Sequence, residues 1–245
     1  DLGFTRAMHS VLGFQAPIGS SGYRFKTEIY YQHLFDVPIW PTNTTSDAEL
    51  FSFSILNTFD GYITEELAND GLGRNYGIEF TLEKPLTNGF YALSTLSLYE
   101  SKYTGADGIE RNTQFAGGFI FNVIGGKEFQ VGKNGNNSIG LNVRFISAGG
   151  KRQAPINQFQ SRNMGFTVFD FSRNFELQLD NYQRIDLGLN YRRNKPKSAS
   201  IFALNVQNFF ARENELERFY SFNQGQVVSG TQLGFFPNLS YRLEF

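Results

Sequence analysis

The sequence predicts an all-β protein, a transmembrane antiparallel up-and-down β-barrel, on three observations. Apolar and polar residues alternate over stretches long enough to cross a bilayer, short and long connections take turns, and charged residues recur on one parity of the strands. Hydrophobic residues make up 40% of the chain and mean hydropathy is −0.33, which fits strands that give only every second residue to lipid. Aromatic residues reach 16%, with 27 Phe and 12 Tyr against one Trp, so the apolar surface is unusually aromatic. No run of about 18 apolar residues occurs, so no helix is expected to span a bilayer.

Along the chain, Arg6 to Pro17 reads as strand without a clear phase. Tyr23, Phe25, Ile29, Tyr31 and Phe35 then oppose Arg24, Lys26, Glu28, Gln32 and Asp36, and Tyr76, Ile78, Phe80 and Leu82 oppose Asn75, Gly77, Glu79 and Thr81. Phe90 to Tyr103 is again unphased, and Phe115 to Val123 keeps Phe115, Phe119, Phe121 and Val123 on one parity while Ile120 and Ile124 fall on the other. Ile139, Leu141, Val143 and Phe145 face away from Gly140, Asn142 and Arg144, and Ile185 to Tyr191 alternates with Arg184, Asp186, Gly188, Asn190 and Arg192. Phe202, Leu204 and Val206 alternate until Asn208. The clearest signal is the end of the chain, where Leu233, Phe235, Pro237, Leu239, Tyr241, Leu243 and Phe245 share one parity over some thirteen residues, more than the roughly 9 to 11 needed to cross a bilayer. Charges on the inner parity of several strands imply a wet interior, which a β-sandwich would not tolerate.

Short turns are expected at residues 19–22, 85–89, 132–137 and 194–197, all rich in Gly, Pro, Asn or Lys. Between them lie links of roughly 36, 9, 30 and 18 residues, at 36–71, 104–112, 151–180 and 213–230, the alternation of periplasmic turns and extracellular loops. The count is about nine strands, and two unpaired edges in lipid would leave backbone groups unsatisfied. Residues 1–245 are therefore read as one unit, the C-terminal part of a larger barrel.

Net charge is −1 with a pI near 6.2, which gives no footprint for nucleic acid. Cysteine is absent, removing disulfides, thiolate metal sites and thiol nucleophiles together. Asp1-Leu2-Gly3-Phe4 carries neither a basic nor an apolar targeting region, as expected if a signal was removed or the chain starts mid-protein.

The stretches Asn75-Tyr76-Gly77-Ile78-Glu79-Phe80-Thr81-Leu82-Glu83-Lys84, Ser101-Lys102-Tyr103-Thr104-Gly105, Asp107-Gly108, Glu110-Arg111-Asn112-Thr113, Asn205-Val206-Gln207-Asn208 and Leu233-Gly234-Phe235-Phe236-Pro237-Asn238 with Tyr241 to Phe245 resemble the C-terminal barrel of TonB-dependent receptors of the Bacteroidetes type. The resemblance extends over nearly the whole chain and implies a barrel of about 22 strands in the outer membrane, with the plug domain and N-terminal strands outside these residues. It implies as partners outer-membrane lipid, the rest of the receptor, a TonB-type energy coupler acting through the plug, the barrel-assembly machinery and, as an option, a surface lipoprotein. It also makes Tyr241, Leu243 and Phe245 an assembly signal. Energised uptake of a nutrient or metal complex is the expected function. A passive porin, a membrane-embedded hydrolase and a component or client of a larger envelope assembly are the alternatives, separated by whether a plug precedes Asp1.

No catalytic, cofactor-binding or metal site is expected. The two histidines, His9 and His33, form no zinc pair, and His33 reads as a girdle residue beside Tyr31 and Phe35. Gly71 to Gly77 approaches a G-x-G-x-x-G pattern with the wrong spacing, opening a strand rather than a helix. Acids at Asp60, Glu65, Glu66, Asp70, Asp107 and Glu110 could offer calcium oxygen ligands without an EF-hand spacing, or simply be solvated. Inward Arg24, Arg144, Arg184, Arg192 and Arg242 beside Glu28, Glu79, Asp186 and Glu244 suggest a salt-bridged ladder or a substrate path. The loop aromatics Trp40, Phe51, Phe53, Phe59, Tyr62, Phe159, Phe166, Phe169, Phe175, Phe219 and Tyr220 must pack together or bind something.

Overall fold

A computed structural model describes residues 2–20, 22–41, 52–57 and 66–245, so the expectations at Phe51, Phe59, Asp60, Tyr62 and Glu65 lie outside the described residues. Among the described residues nine long strands run β1 (Arg6–Ile18), β2 (Tyr23–Ile39), β3 (Ala68–Thr87), β4 (Phe90–Thr104), β6 (Phe119–Val131), β7 (Asn137–Ala148), β10 (Tyr182–Lys195), β11 (Ser198–Gln207) and β14 (Phe236–Glu244). They pair antiparallel in that order, and β5 (Glu110–Asn112) adds to β4, giving a ten-stranded sheet that does not close on itself. Loop segments contribute β8 (Arg152–Gln153) with β9 (Leu177–Gln178), the helix α1 (Gln158–Met164), and the hairpin β12 (Glu215–Ser221) with β13 (Gln226–Thr231).

Directly opposed residues in an antiparallel ladder share a face. One row runs Leu12, Ile29, Ile78, Leu98, Phe119 across five strands, and another runs Leu141, Leu189, Leu204, Leu239 across four. The other face carries rows such as Glu28, Glu79, Ser97 and Asn142, Gly188, Asn205, Asn238. The apolar parities read from separate stretches of sequence thus fall on a single continuous face. Leu12 is 75% exposed and Leu239 79%, so in water this face would be an apolar surface of the kind that aggregates, whereas in a bilayer it is solvated by lipid. Among the described residues no helix is long and apolar enough to cross a membrane.

Register resolves the two unphased stretches. Leu96 and Leu98 of β4 lie opposite Phe80 and Ile78, and Phe14 and Leu12 of β1 lie opposite Thr27 and Ile29, so both strands join the apolar face. Ile120 and Ile124 do point to the polar face, where Ile124 stands opposite Arg144. Phe115 precedes β6 rather than opening it. The reversal expected at 85–89 narrows to Asn88-Gly89, both at positive φ (53° and 71°), the geometry a two-residue hairpin of right-handed twist requires.

Two expected boundaries are corrected. The link expected at 36–71 is shorter, because β2 continues to Ile39 past a bulge and β3 begins at Ala68; Asp36 adopts φ 56° where the register shifts. The terminal strand spans Phe236–Glu244, not Leu233–Phe245, because its partner β11 ends at Gln207 and Asn208 turns away at φ 48°. Leu233 to Phe235 therefore have no ladder to join. Pro237 lies opposite Val206 in that ladder, near the start of the strand.

Cysteines placed singly at Leu239 and Ser240 of the membrane-inserted protein test the face assignment. Position 239 is expected to resist a membrane-impermeant thiol reagent and to be quenched by a lipid-soluble probe, and position 240 to do the reverse. Equal labelling at both would remove the assignment.

Candidate functional site

The polar face is a wall of short side chains tied across strands. His9 meets Gln32, the Asn75 amide donates to Gln32 Oε1 (2.6 Å), Ser101 donates to Asn75 Oδ1 (2.6 Å) and Thr113 donates to Ser101 Oγ (2.8 Å). This row stitches β1, β2, β3 and β4 to the segment after β5. Elsewhere glycines make room for neighbours lying flat. A Cβ on Gly77 would stand 2.9 Å from the Tyr30 hydroxyl and 2.4 Å from the Leu98 carbonyl, and one on Gly188 would stand 2.9 Å from Asn205 Oδ1. Tyr91 lies over Gly126 in the same way and donates to Asn142 (2.8 Å).

The expected arginine ladder resolves into local pairs. Arg24 bonds Glu83 (3.0 Å), Arg184 bonds Asp186 on its own strand (2.8 Å), and Arg192 reaches Glu244 (2.8 Å), which also has Arg242 at 4.0 Å. Glu28 is taken by Lys26, Glu79 accepts from Ser97 (3.3 Å), and Arg144 lies opposite Asp186. Partly solvated pairs of this kind contribute little stability, about 0 to 1 kcal/mol each.

Above the wall the described loop segments interlock. Tyr103, buried at the end of β4, donates to the Ser52 carbonyl (2.8 Å), and Asn174 donates to the Ser52 hydroxyl (3.1 Å). The Gln114 N–H donates to Asn57 (2.9 Å), and the Arg152 guanidinium donates to the Ala116 carbonyl (2.8 Å). α1 is capped by Asn157, which accepts from the Gln160 N–H, and ends on Gly165 in the left-handed region. The β12–β13 hairpin docks on this loop through Gln153 and Arg218, which exchange two hydrogen bonds (3.0 and 3.2 Å), and through Tyr220, whose N–H donates to Thr167 (2.9 Å).

Glu215 is the centre of that docking. Its side chain is 5% exposed and accepts from the Arg218 guanidinium (2.7 Å), the Ser229 hydroxyl and the Asp180 N–H (2.8 Å). The hydrogen bond from Arg218 leads in holding its carboxyl down to about 2, against the cost of burial, with Ser229 and the Asp180 amide adding to it.

Loop aromatics divide between packing and exposure. Trp40 meets Phe53 edge-on (6.0 Å), Phe169 meets Phe171 (5.9 Å), Phe175 meets Tyr103 (6.0 Å), and Tyr220 is buried. Phe159, Phe166 and, to a lesser degree, Phe219 remain exposed. So do Met164 and Phe222, which sequence reasoning missed; a Cβ on Gly165 would stand 3.9 Å from the Phe222 ring. The turn formed by Asn223 to Gly225 marks that apex in the sequence.

The acids are engaged singly. Asp107 takes both arms of Arg111 (2.9 and 2.6 Å), Glu110 pairs with Arg74 (2.6 Å), Asp70 lies within β3 and Glu66 is exposed. Among the described residues no three acidic or imidazole side chains converge on one point. His33 sits on the apolar face opposite Met8 and Arg74, its ring 5.8 Å from Phe35, and Gly71 to Gly77 lie inside β3. Of the terminal residues, the Tyr241 ring lies 4.7 Å from Phe202, Leu243 lies opposite Ser200, and Phe245 is 98% exposed beyond the strand.

No protein-family model matches the chain, and no curated protein matches it significantly. Solved structures do. The ferric preacinetobactin receptor BauA of Acinetobacter baumannii superposes with a TM-score of 0.61 at 11% identity, over 98% of this chain and 29% of that one. In fold the chain resembles a stretch of that protein's β-barrel wall. The closed form of the ferric-catecholate import receptor Fiu of E. coli K12 gives 0.55 at 13% identity, over 98% and 27%. The chain thus spans less than a third of either receptor's length.

Loop docking through Glu215 predicts an acid response. A carboxyl held below its ordinary 4.5 stabilises the docked hairpin above that pH and ceases to do so as pH falls toward about 2. Pulse digestion with pepsin is expected to cut residues 208–235 faster as pH drops through this window. E215Q is expected to be cut faster already at pH 5, having lost about 2 kcal/mol of local stability. Cutting that is flat with pH and unchanged in E215Q would contradict the assignment.

Proposed function

We propose that these residues form part of the barrel wall of a TonB-dependent outer-membrane receptor of the Bacteroidetes type, which takes up a nutrient or metal complex at the expense of energy supplied through its plug. The observation that carries the reading is a sheet with one continuous apolar face, one polar face and two open edges. Open edges in hydrocarbon require further strands to complete their hydrogen bonds. The likeness in fold to two import receptors supports the same reading. The polar face is then the inner wall, the interlocked loops lie on the cell surface, and the short turns face the periplasm. The role is transport rather than catalysis, with a surface lipoprotein as an optional partner at the exposed loop aromatics.

Uptake of the receptor's solute by cells carrying the intact protein is expected to stop when the proton gradient is collapsed or the energy coupler is deleted. Influx that persists, with steady conductance of the purified protein in planar bilayers, would instead identify a passive channel. The open terminal strand suits the assembly role of Tyr241, Leu243 and Phe245, since its free edge can be extended by another strand. Deleting Phe245 is expected to lower the amount of assembled receptor severalfold while leaving the unfolding temperature of assembled receptor within about 2 °C. Unchanged assembly with a lower unfolding temperature would reduce Phe245 to a girdle aromatic.

A further inference from the structure

The polar face carries a depression of about 260 Å³ over Gly188 of β10. A Cβ at position 188 would stand 2.9 Å from Asn205 Oδ1 and 3.5 Å from Asn142 Nδ2, so these two amides lean over the floor from the strands on either side. Arg144 of β7 borders the depression on its loop side, in a row with Ile124 and Asp186.

Arg144 is set apart by its lack of a partner. Nearby on the same face Arg184 bonds Asp186 and Arg192 bonds Glu244, whereas among the described residues the Arg144 guanidinium has neither a hydrogen bond nor an ion pair. Asp186, directly opposite, is already engaged: its Oδ2 accepts from Arg184 (2.8 Å) and its Oδ1 from the Asn208 N–H (2.9 Å). The amides around the depression are open as well. Asn142 Oδ1 accepts from the Tyr91 hydroxyl (2.8 Å), which leaves its NH2 group to donate, and the side chains of Asn205 and Gln207 make no hydrogen bond among the described residues. Elsewhere on the face such amides are consumed, as in the row through Gln32 and Asn75.

A lone guanidinium offers a fork of parallel N–H donors that matches one carboxylate. The Asp186 charge beside it disfavours a second negative charge, which selects a monoanion over a phosphate dianion. Amide side chains both donate and accept, as hydroxyl groups require, and none of the residues lining the depression is aromatic, so a flat ring finds no stacking partner. We infer that the depression binds a sugar acid, its carboxylate on Arg144 and its hydroxyls on Asn142, Asn205 and Gln207. The assignment rests on the reading of the polar face as the inner wall of an uptake receptor, and it names a class of solute for that wall.

The test is saturation-transfer NMR on the intact receptor in detergent micelles, with D-glucuronate and D-glucose as probes and heat-modifiable gel mobility as the check that each variant is folded. Glucuronate is expected to bind at least about tenfold more tightly than glucose, and high salt to erode the difference. R144Q is expected to weaken glucuronate about tenfold and leave glucose unchanged. G188L, which fills the floor against the movable ends of two amides, is expected to abolish glucuronate binding. Equal affinity for the two sugars, no binding of glucuronate, or binding that survives R144Q and G188L overturns the site, and coupler-dependent uptake by cells would leave the receptor reading standing. Arg144-dependent binding in a protein whose uptake ignores the coupler overturns that reading and leaves the site.

Discussion

If the apolar face meets lipid as proposed, backbone pairing in a medium without water is the constraint on which everything else hangs. Each amide and carbonyl within hydrocarbon must find its partner inside the protein, and strands can supply those partners only sideways. Long antiparallel neighbours joined by minimal turns such as Asn88-Gly89 follow directly, as does the insistence on alternation, since a register slip of one residue would put Arg24 or Glu79 on the apolar face. The terminal strand stops where β11 stops for the same reason: Leu233 and Phe235 have the right parity but no ladder.

Beyond the long strands the chain changes its chemistry. There the backbone is satisfied by amide and hydroxyl side chains such as Asn57, Gln153, Asn208 and Asn214, which hold successive loops against one another. Arginine–carboxylate contacts such as Arg111–Asp107 and Arg218–Glu215 replace apolar packing as the organising contacts. The loops are consequently a docked layer with aromatic side chains of two fates, some consumed in packing and others left at the surface.

Strands with clean alternation, from Tyr23, Tyr76, Ile139, Ile185 and Phe202 onward, were legible residue by residue because a sheet with one apolar and one polar face has a pattern of period two. β1 and β4 were not, since Ser10, Ala16, Ser94 and Ala92 blur the apolar parity and only the neighbouring strand reveals it. Ile124 and Ile120 show the converse, that a wet wall tolerates apolar residues without losing its face. Loop contacts such as Glu215 with Asp180 or Ser52 with Asn174 join residues far apart in sequence, and no local spacing announces them. The glycines read differently once seen in place. Several of them are imprints of a tyrosine or asparagine on the next strand.

The row of His9, Gln32, Asn75, Ser101 and Thr113 has a mechanical side. In the proposed receptor, a wall surrounding a plug that is pulled along the barrel axis would be loaded in shear, with neighbouring strands tending to slide past one another. Backbone rungs resist sliding in parallel along each pair of strands. The side-chain row adds a crosswise tie that several strands share, so a displacement begun at one pair is borne by the next. Its small amides and hydroxyls sit at the loop end of the wall, where the strands would otherwise be freest to creep.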